Sequence, residues 1–200
     1  ADTLKEAGVN PEDIRTLEDF EATCEKIKAL GKTPIHIGGK DSGNAAGFLG
    51  SIALAMLTDE GCIYPNGDEL KNGTFDWEQY GTPVMQKIAD YVNNGYINVD
   101  FTTADTKTMQ TALGAGDCGF VFRNTPNIVN ARNYVEGCNV GIIPIPSSTE
   151  EGKSSFRIGE GTCLGIWKDT ENYDAAAAFL EYLARPEVAK AICLINGSVP

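Results

Sequence analysis

The sequence predicts a layered α/β fold, and three stretches carry that prediction. Leu17, Phe20, Cys24, Ile27 and Leu30 recur at spacings of three and four, the apolar stripe of a helix with one buried side. Gly31 supplies a left-handed stop, and Pro34-Ile35-His36-Ile37 then reads as a short strand. Ala115 to Pro146 reads as strand, polar turn, short helix and strand. Helices that feed strands through tight turns are the repeating unit of α/β layers.

Taken in order, the chain opens helical and passes through a loop containing Pro11, as the interior of a longer protein would. Thr16 caps the first clear helix, with Asp19 in place of the usual Glu or Gln of a capping box. The stretch from Gly38 to Gly47, GGKDSGNAAG, reads as a polar loop leading into a second helix from Phe48 to about Leu57. It is not a Walker loop, because the lysine spacing is wrong and no Ser or Thr follows it directly; the dinucleotide fingerprint is missing too. Asp41, Ser42 and Asn44, exposed at the carboxyl end of a strand, suit a neutral polar ligand.

Glu60 to Gly73 is a surface excursion around Pro65-Asn66-Gly67. Trp77 to Asn93 is a third helix, with Trp77, Tyr80, Val84, Ile88 and Tyr91 on its core side; Pro83 implies a kink or a later start. Ile97 to Thr103 is extended or irregular, and Asp105 to Gly114 is a fourth helix with Met109, Ala112 and Leu113 inward. Gly119 to Phe122 reads as a buried strand. Asn124 or Thr125 caps the helix after it, with Pro126 in its first turn. Val140 to Ile145 is a second strand, and Ser147 to Ser155 a polar loop. Phe156 to Ile158 and Cys163 to Trp167 read as strands on either side of Gly159-Glu160-Gly161-Thr162. Two helices close the chain, Tyr173 to Ala184 with Ala176, Phe179, Leu180 and Leu183 packed, and Pro186 to Ile195.

Composition narrows the function classes. The 200 residues carry a net charge of −12 with no basic block, which argues against a nucleic-acid or anionic-membrane partner. No apolar segment reaches the length of a membrane span. Six cysteines show no metal spacing. Cys24, Cys163 and Cys193 read as buried thiols, and Cys118 with Cys138 is the pair to test first for a disulfide. His36, the single histidine, lies in an apolar strand and reads as a core or edge residue. A Cys–His nucleophile and a zinc site both lack partners, and no motif places a carboxylate pair. The expectation is a protein with no catalytic residue, no metal and no cofactor.

The polar turn Arg123 to Asn127 stands either as a plain turn or as a ligand edge, since a buried strand delivers its side chains to a helix N-terminus. Glu160 has the same two readings, exposed turn or ligand contact. Arg123 either pairs with Glu160 or binds a carboxylate on the ligand.

The order of segments resembles the extracellular solute-binding proteins of ABC importers, in their carbohydrate-binding, maltose-binding-protein-like group. Thr16-Leu17-Glu18-Asp19-Phe20 is similar to that group's TWDEF-like helix start, and Leu30-Gly31-Lys32-Thr33-Pro34-Ile35 to its turn into a strand. Ala112 to Gly116 with Phe120-Val121-Phe122 resembles its F-x-x-G-K-A-A-M strand entry. YDAAAAFLEYLARPE, from Tyr173 to Glu187, resembles its A-W-x-F-L-x-Y-L-x-S-P-E segment, the most specific of these matches.

The resemblance implies a periplasmic-binding-protein-like (type II) lobe, layered α/β/α with a mixed sheet. Residues 1–156 would form the second lobe; 157–200 would carry a hinge-crossing strand and helices that pack on a first lobe absent here. It implies a carbohydrate ligand held between lobes, ABC permease subunits as partners, and an extracellular or periplasmic location with a lipid anchor on an N-terminal region absent here. The ligand-contacting residues would be Asp41, Ser42, Asn44, Arg123, Asn124, Asn127 and Glu160. Relatives place a sugar-stacking aromatic where this chain has Asn127, and often another where it has Gly43 or Asn44. Hydrogen-bonding amides therefore stand where stacking plates are usual, and any platform would come from Phe48, Tyr64, Tyr96 or the other lobe. The alternatives are a non-sugar polar solute, a solute-sensing receptor module of the same fold, and, further off, a Cys- or carboxylate-dependent hydrolase.

Overall fold

A computed structural model describes residues 2–59, 67–145 and 163–197. Its helices are α1 (Asp2–Glu6), α2 (Leu17–Ala29), α3 (Ser42–Asp59), α4 (Gly67–Asn72), α5 (Thr82–Asn93), α6 (Thr106–Ala115), α7 (Pro126–Tyr134), α8 (Tyr173–Leu183) and α9 (Pro186–Asn196). Two short strands, β1 (Thr33–Ile35) and β2 (Cys118–Phe120), pair in parallel, with Thr33 opposite Cys118 and Ile35 opposite Phe120. On the other edge of β1 a parallel bridge joins Ile35 to Ile97. Helices thus surround a small sheet, a partial α/β lobe.

The stripe on α2 is buried at its centre, while Leu17 is half-buried and Leu30, at the C-cap, is exposed. Phe20, Cys24 and Ile27 are buried against the sheet. The capping box forms as well: Thr16 Oγ1 accepts from the Asp19 amide at 3.1 Å, and Asp19 Oδ2 accepts from the Thr16 amide at 3.0 Å. Aromatic contacts knit the layers. The Phe20 ring lies 4.9 Å from Phe120 and 6.4 Å from Tyr91, and Phe122 meets Phe48 of α3 edge-on at 5.2 Å. Burying each such ring contributes roughly 1.5–3 kcal/mol, so β2, α2, α3 and α5 share one core. Tyr91 and Tyr96 add polar latches, their hydroxyls donating to Glu21 and Glu25 of α2 at 3.1 and 2.8 Å.

Several sequence expectations are corrected. The second helix begins at Ser42, six positions before Phe48, and takes in Gly43 and Gly47. β2 ends at Phe120, and Thr125 makes no side-chain cap. Val140 to Pro144 and Cys163 to Trp167 are irregular rather than strands, and Ile145 sits in a single β-bridge. Trp77 sits in a π-turn, Trp77–Gly81, that precedes α5; the turn shifts the helical phase, and the indole is 66% exposed. Pro83 therefore falls in the first turn of α5, the later start. Cys163 is exposed, Phe179 on α8 is exposed, and Cys118 and Cys138 are both free thiols. The expected polar loop Ser147 to Ser155 and the strand Phe156 to Ile158 lie outside the described residues.

Gly119 tests the α2–sheet contact. A Cβ there would lie 2.4 Å from Ile27 Cδ1 and 3.0 Å from the Pro34 carbonyl oxygen. Gly119→Ala should cost about 1–3 kcal/mol, the usual penalty for overpacking, read from urea unfolding; an unchanged midpoint would mean that α2 does not press on β2.

Candidate functional site

The chain leaves β1 through His36 and Ile37, both buried. A single side chain takes over where the strand pairing stops. The Ile37 amide donates to Asn98 Oδ1 at 2.7 Å, and Asn98 Nδ2 donates to the Ile37 carbonyl at 3.2 Å. The next residues are tied down by backbone bonds, Gly39 N to Phe101 O at 2.8 Å and Lys40 N to Ala104 O at 3.0 Å. This close approach requires glycine: a Cβ on Gly38 would lie 2.6 Å from Asp105 O, and one on Gly39 2.4 Å from Phe101 O.

Asp41 then faces the start of α6. Its Oδ2 accepts from the Thr106 amide at 2.8 Å and from the Thr106 hydroxyl at 2.6 Å. Those bonds, the hydroxyl's first, hold the Asp41 carboxyl below its ordinary pKa, because they stabilise the charged form. Asn44 lies beneath, its Nδ2 donating to Gly38 O at 2.7 Å and to Thr106 Oγ1 at 2.9 Å. Ser42, exposed, opens α3.

The second part of the edge is the turn after β2. Arg123 reaches across to α3, Nη1 donating to the Gly43 carbonyl at 2.8 Å. Gly47 makes room for it, since a Cβ there would stand 3.3 Å from that nitrogen. The carboxyl ends of β1 and β2 thereby become one edge, exposing Asp41, Ser42, Arg123 and Asn124. Among the described residues Arg123 pairs with no carboxylate, and the residue is exposed. Asn127 is buried under the turn. Its Nδ2 donates to Asn124 Oδ1 at 2.6 Å, and its Oδ1 accepts from the buried Gln110 at 2.7 Å.

Two of the seven sequence-derived residues differ from the rest in placement. Asn44 and Asn127 are 3% and 5% exposed with amides engaged by the protein, and they brace the edge from below. Glu160 lies outside the described residues. Phe48 and Tyr96 are core residues and offer no stacking plate; Tyr64 lies outside the described residues. Thr106, Asn98 and Gln110 escaped the sequence reading. Gln110 gives the clearest signal, a polar residue one position from buried Met109 and three before Leu113, within the inward stripe of α6.

The surface also holds a groove of about 530 Å³ between α3 and α5, lined by Leu49, Leu57, Phe75, Trp77, Val84 and Met85. Its lining offers little to a hydroxyl-rich solute.

This architecture is that of a solute-binding lobe. The family model for bacterial extracellular solute-binding proteins matches residues 1–200, and the chain belongs to that family, whose members are substrate-binding proteins. Among curated relatives, the chain is 25% identical over 190 residues to the melibiose/raffinose/stachyose-binding protein MelE of Bacillus subtilis, covering 94% of this chain and 44% of that protein. It is 27% identical over 194 residues to the sn-glycerol-3-phosphate-binding periplasmic protein UgpB of Escherichia coli, covering 94% and 42%. The chain thus spans less than half the length of these relatives. A sugar transporter of Bacillus licheniformis, solved in complex with stachyose, superposes with a TM-score of 0.79 at 28% identity, over 96% of this chain and 50% of that one. RafE, solved in complex with raffinose, gives 0.70 at 25% identity, over 98% and 51%. These neighbours are type II solute-binding proteins, which bears out the fold class read from the sequence.

The Thr106–Asp41 contact can be tested by titration. Thr106→Val removes the hydroxyl donor and should raise the Asp41 pKa toward the ordinary carboxylate value in carbon-detected NMR. Because the folded pKa is depressed, this pair stabilises the fold above the unfolded pKa, and the contribution is lost as pH falls through the folded value. The variant should narrow that window; an Asp41 pKa unmoved by the substitution would contradict the assignment.

Proposed function

We propose that the chain is the second lobe of the substrate-binding component of an ABC importer and binds a carbohydrate without transforming it. The observation that carries the reading is the polar edge at the carboxyl ends of β1 and β2, where Asp41 and Ser42, after the Gly38-Gly39 turn, and Arg123 and Asn124, after β2, are all exposed. Carboxylate, hydroxyl, guanidinium and amide together offer acceptors and donors in the mixture that sugar hydroxyls require. Residues 1–156 form this lobe in the proposal, and 157–200 return toward the first lobe. Tyr173, Phe179, Leu194 and Ile195 on α8 and α9 are exposed by half or more and give that lobe an apolar face to cover. Glu160 belongs to the edge and pairs with Arg123 or contacts ligand. Permease subunits are the partners of the whole protein, which acts outside the cytoplasmic membrane, tethered by a lipid on its N-terminal region.

Non-catalytic action has chemical support. Burial pushes the Cys118 thiol up to about 12 and Cys24 higher, so neither is a thiolate at neutral pH. His36 is buried, and desolvation, opposed by Asp100 and Asp117, holds its pKa below the ordinary value. A second reading, an anionic polar solute, is favoured by the exposed guanidinium of Arg123.

Thermal unfolding of the full-length protein with stachyose, raffinose and sn-glycerol 3-phosphate separates these readings. A ligand at a hundred times its dissociation constant adds about 2.7 kcal/mol of stability. Stabilisation by the sugars supports the carbohydrate reading. Stabilisation by the phosphate ester alone moves the assignment to the anionic one. Stabilisation by neither, with an amino acid or polyamine active, overturns both. Asn124→Ala and Glu160→Ala should each weaken sugar binding about tenfold, close to one lost hydrogen bond, in calorimetric titrations; unchanged affinity in both would put the site elsewhere.

A further inference from the structure

Beneath the edge, three amides form a directed chain. Asn127 Nδ2 lies 3.3 Å from the Asn124 backbone carbonyl, a group that only accepts, so this end of the Asn127 carboxamide is its donor end. Its Oδ1 therefore points the other way and accepts from Gln110 Nε2 at 2.7 Å. The second Asn127 proton goes to Asn124 Oδ1 at 2.6 Å. Gln110 and Asn127 are 3% and 5% exposed, so water does not compete for these bonds, and reversing one amide leaves like groups facing each other.

We propose that Asn127, braced by Gln110, is a positioning residue that sets the hydrogen-bond polarity of the ligand edge. It holds Asn124 with Oδ1 inward and Nδ2 outward. Asn124 then meets the ligand as a donor, beside an Arg123 that can only donate. The turn selects solute groups that accept, such as ether, glycosidic and hydroxyl oxygens or an anionic oxygen, and rejects groups that only donate, such as a protonated amine. This inference rests on the reading of the edge as the ligand site and names the chemistry which that site takes.

Asn127→Asp reverses the chain. A carboxylate at 127 accepts from Gln110 and draws in the Asn124 Nδ2 donor, turning Oδ1 outward. In the full-length protein, raffinose affinity by calorimetry should fall about tenfold or more. The proton exchange of the Asn124 side-chain amide, read by NMR without ligand, should slow as that group turns inward. Asn124→Asp, an exposed substitution that replaces the donor with a charged acceptor, should lower affinity at least as much, and Gln110→Glu should act in the same direction as Asn127→Asp. Unchanged exchange of the Asn124 amide in Asn127→Asp overturns the proposal whether or not raffinose binds. Where Asn124→Ala weakens binding and Asn127→Asp does not, the polarity relay is wrong and the ligand edge stands. Where Asn124→Ala also leaves raffinose binding intact, the edge itself fails as the site.

Discussion

Two hydrogen bonds between the Asn98 carboxamide and the backbone of Ile37 decide where the polar edge lies. β1 is three residues long and has run out of strand partners on that side by Ile37. The buried Asn98 side chain supplies one donor and one acceptor in place of a neighbouring strand. Leaving those backbone groups unpaired would cost about 1–3 kcal/mol each. Because the amide holds Ile37, Gly38 and Gly39 pass within contact of the 101–105 backbone, Asp41 meets Thr106, and Asn44 reaches Gly38. One buried asparagine thus connects the core to the geometry of the polar edge. A rigid edge loses less conformational freedom on binding, which is how packing becomes affinity.

The legibility of the sequence follows from what periodicity can report. The stripe of α2 and the cap at Thr16 were readable because their causes are local. Strands of three residues are set by distant partners, so Val140 to Pro144 is an apolar run with no strand assigned. Trp77 kept the helical period of α5 in sequence but lost it in space, because a π-turn intervenes. Gly47 was read as loop, yet it is helical and leaves room for Arg123.

At the site, residue type was legible and direction was not. Asp41, Ser42, Arg123 and Asn124 stand at strand ends and are exposed, as polar residues there tend to be. Asn44 and Asn127 looked equivalent to them in sequence, but their amides turn inward to Gly38, Thr106 and Gln110. A buried amide used for positioning differs from an exposed one used for recognition only in its partners, which fold-level contacts select. That is also why Gln110 and Asn98 gave so little warning.

A crystal structure of the full-length protein with stachyose bound would show where the ligand sits. Sugar oxygens are expected within hydrogen-bond distance of Asn124 Nδ2 and of the Arg123 or Asp41–Ser42 polar atoms, with Asn98 still bonded to Ile37. Stachyose seated in the apolar groove beside Trp77 and Met85, with the β1–β2 edge open to solvent, would contradict that placement.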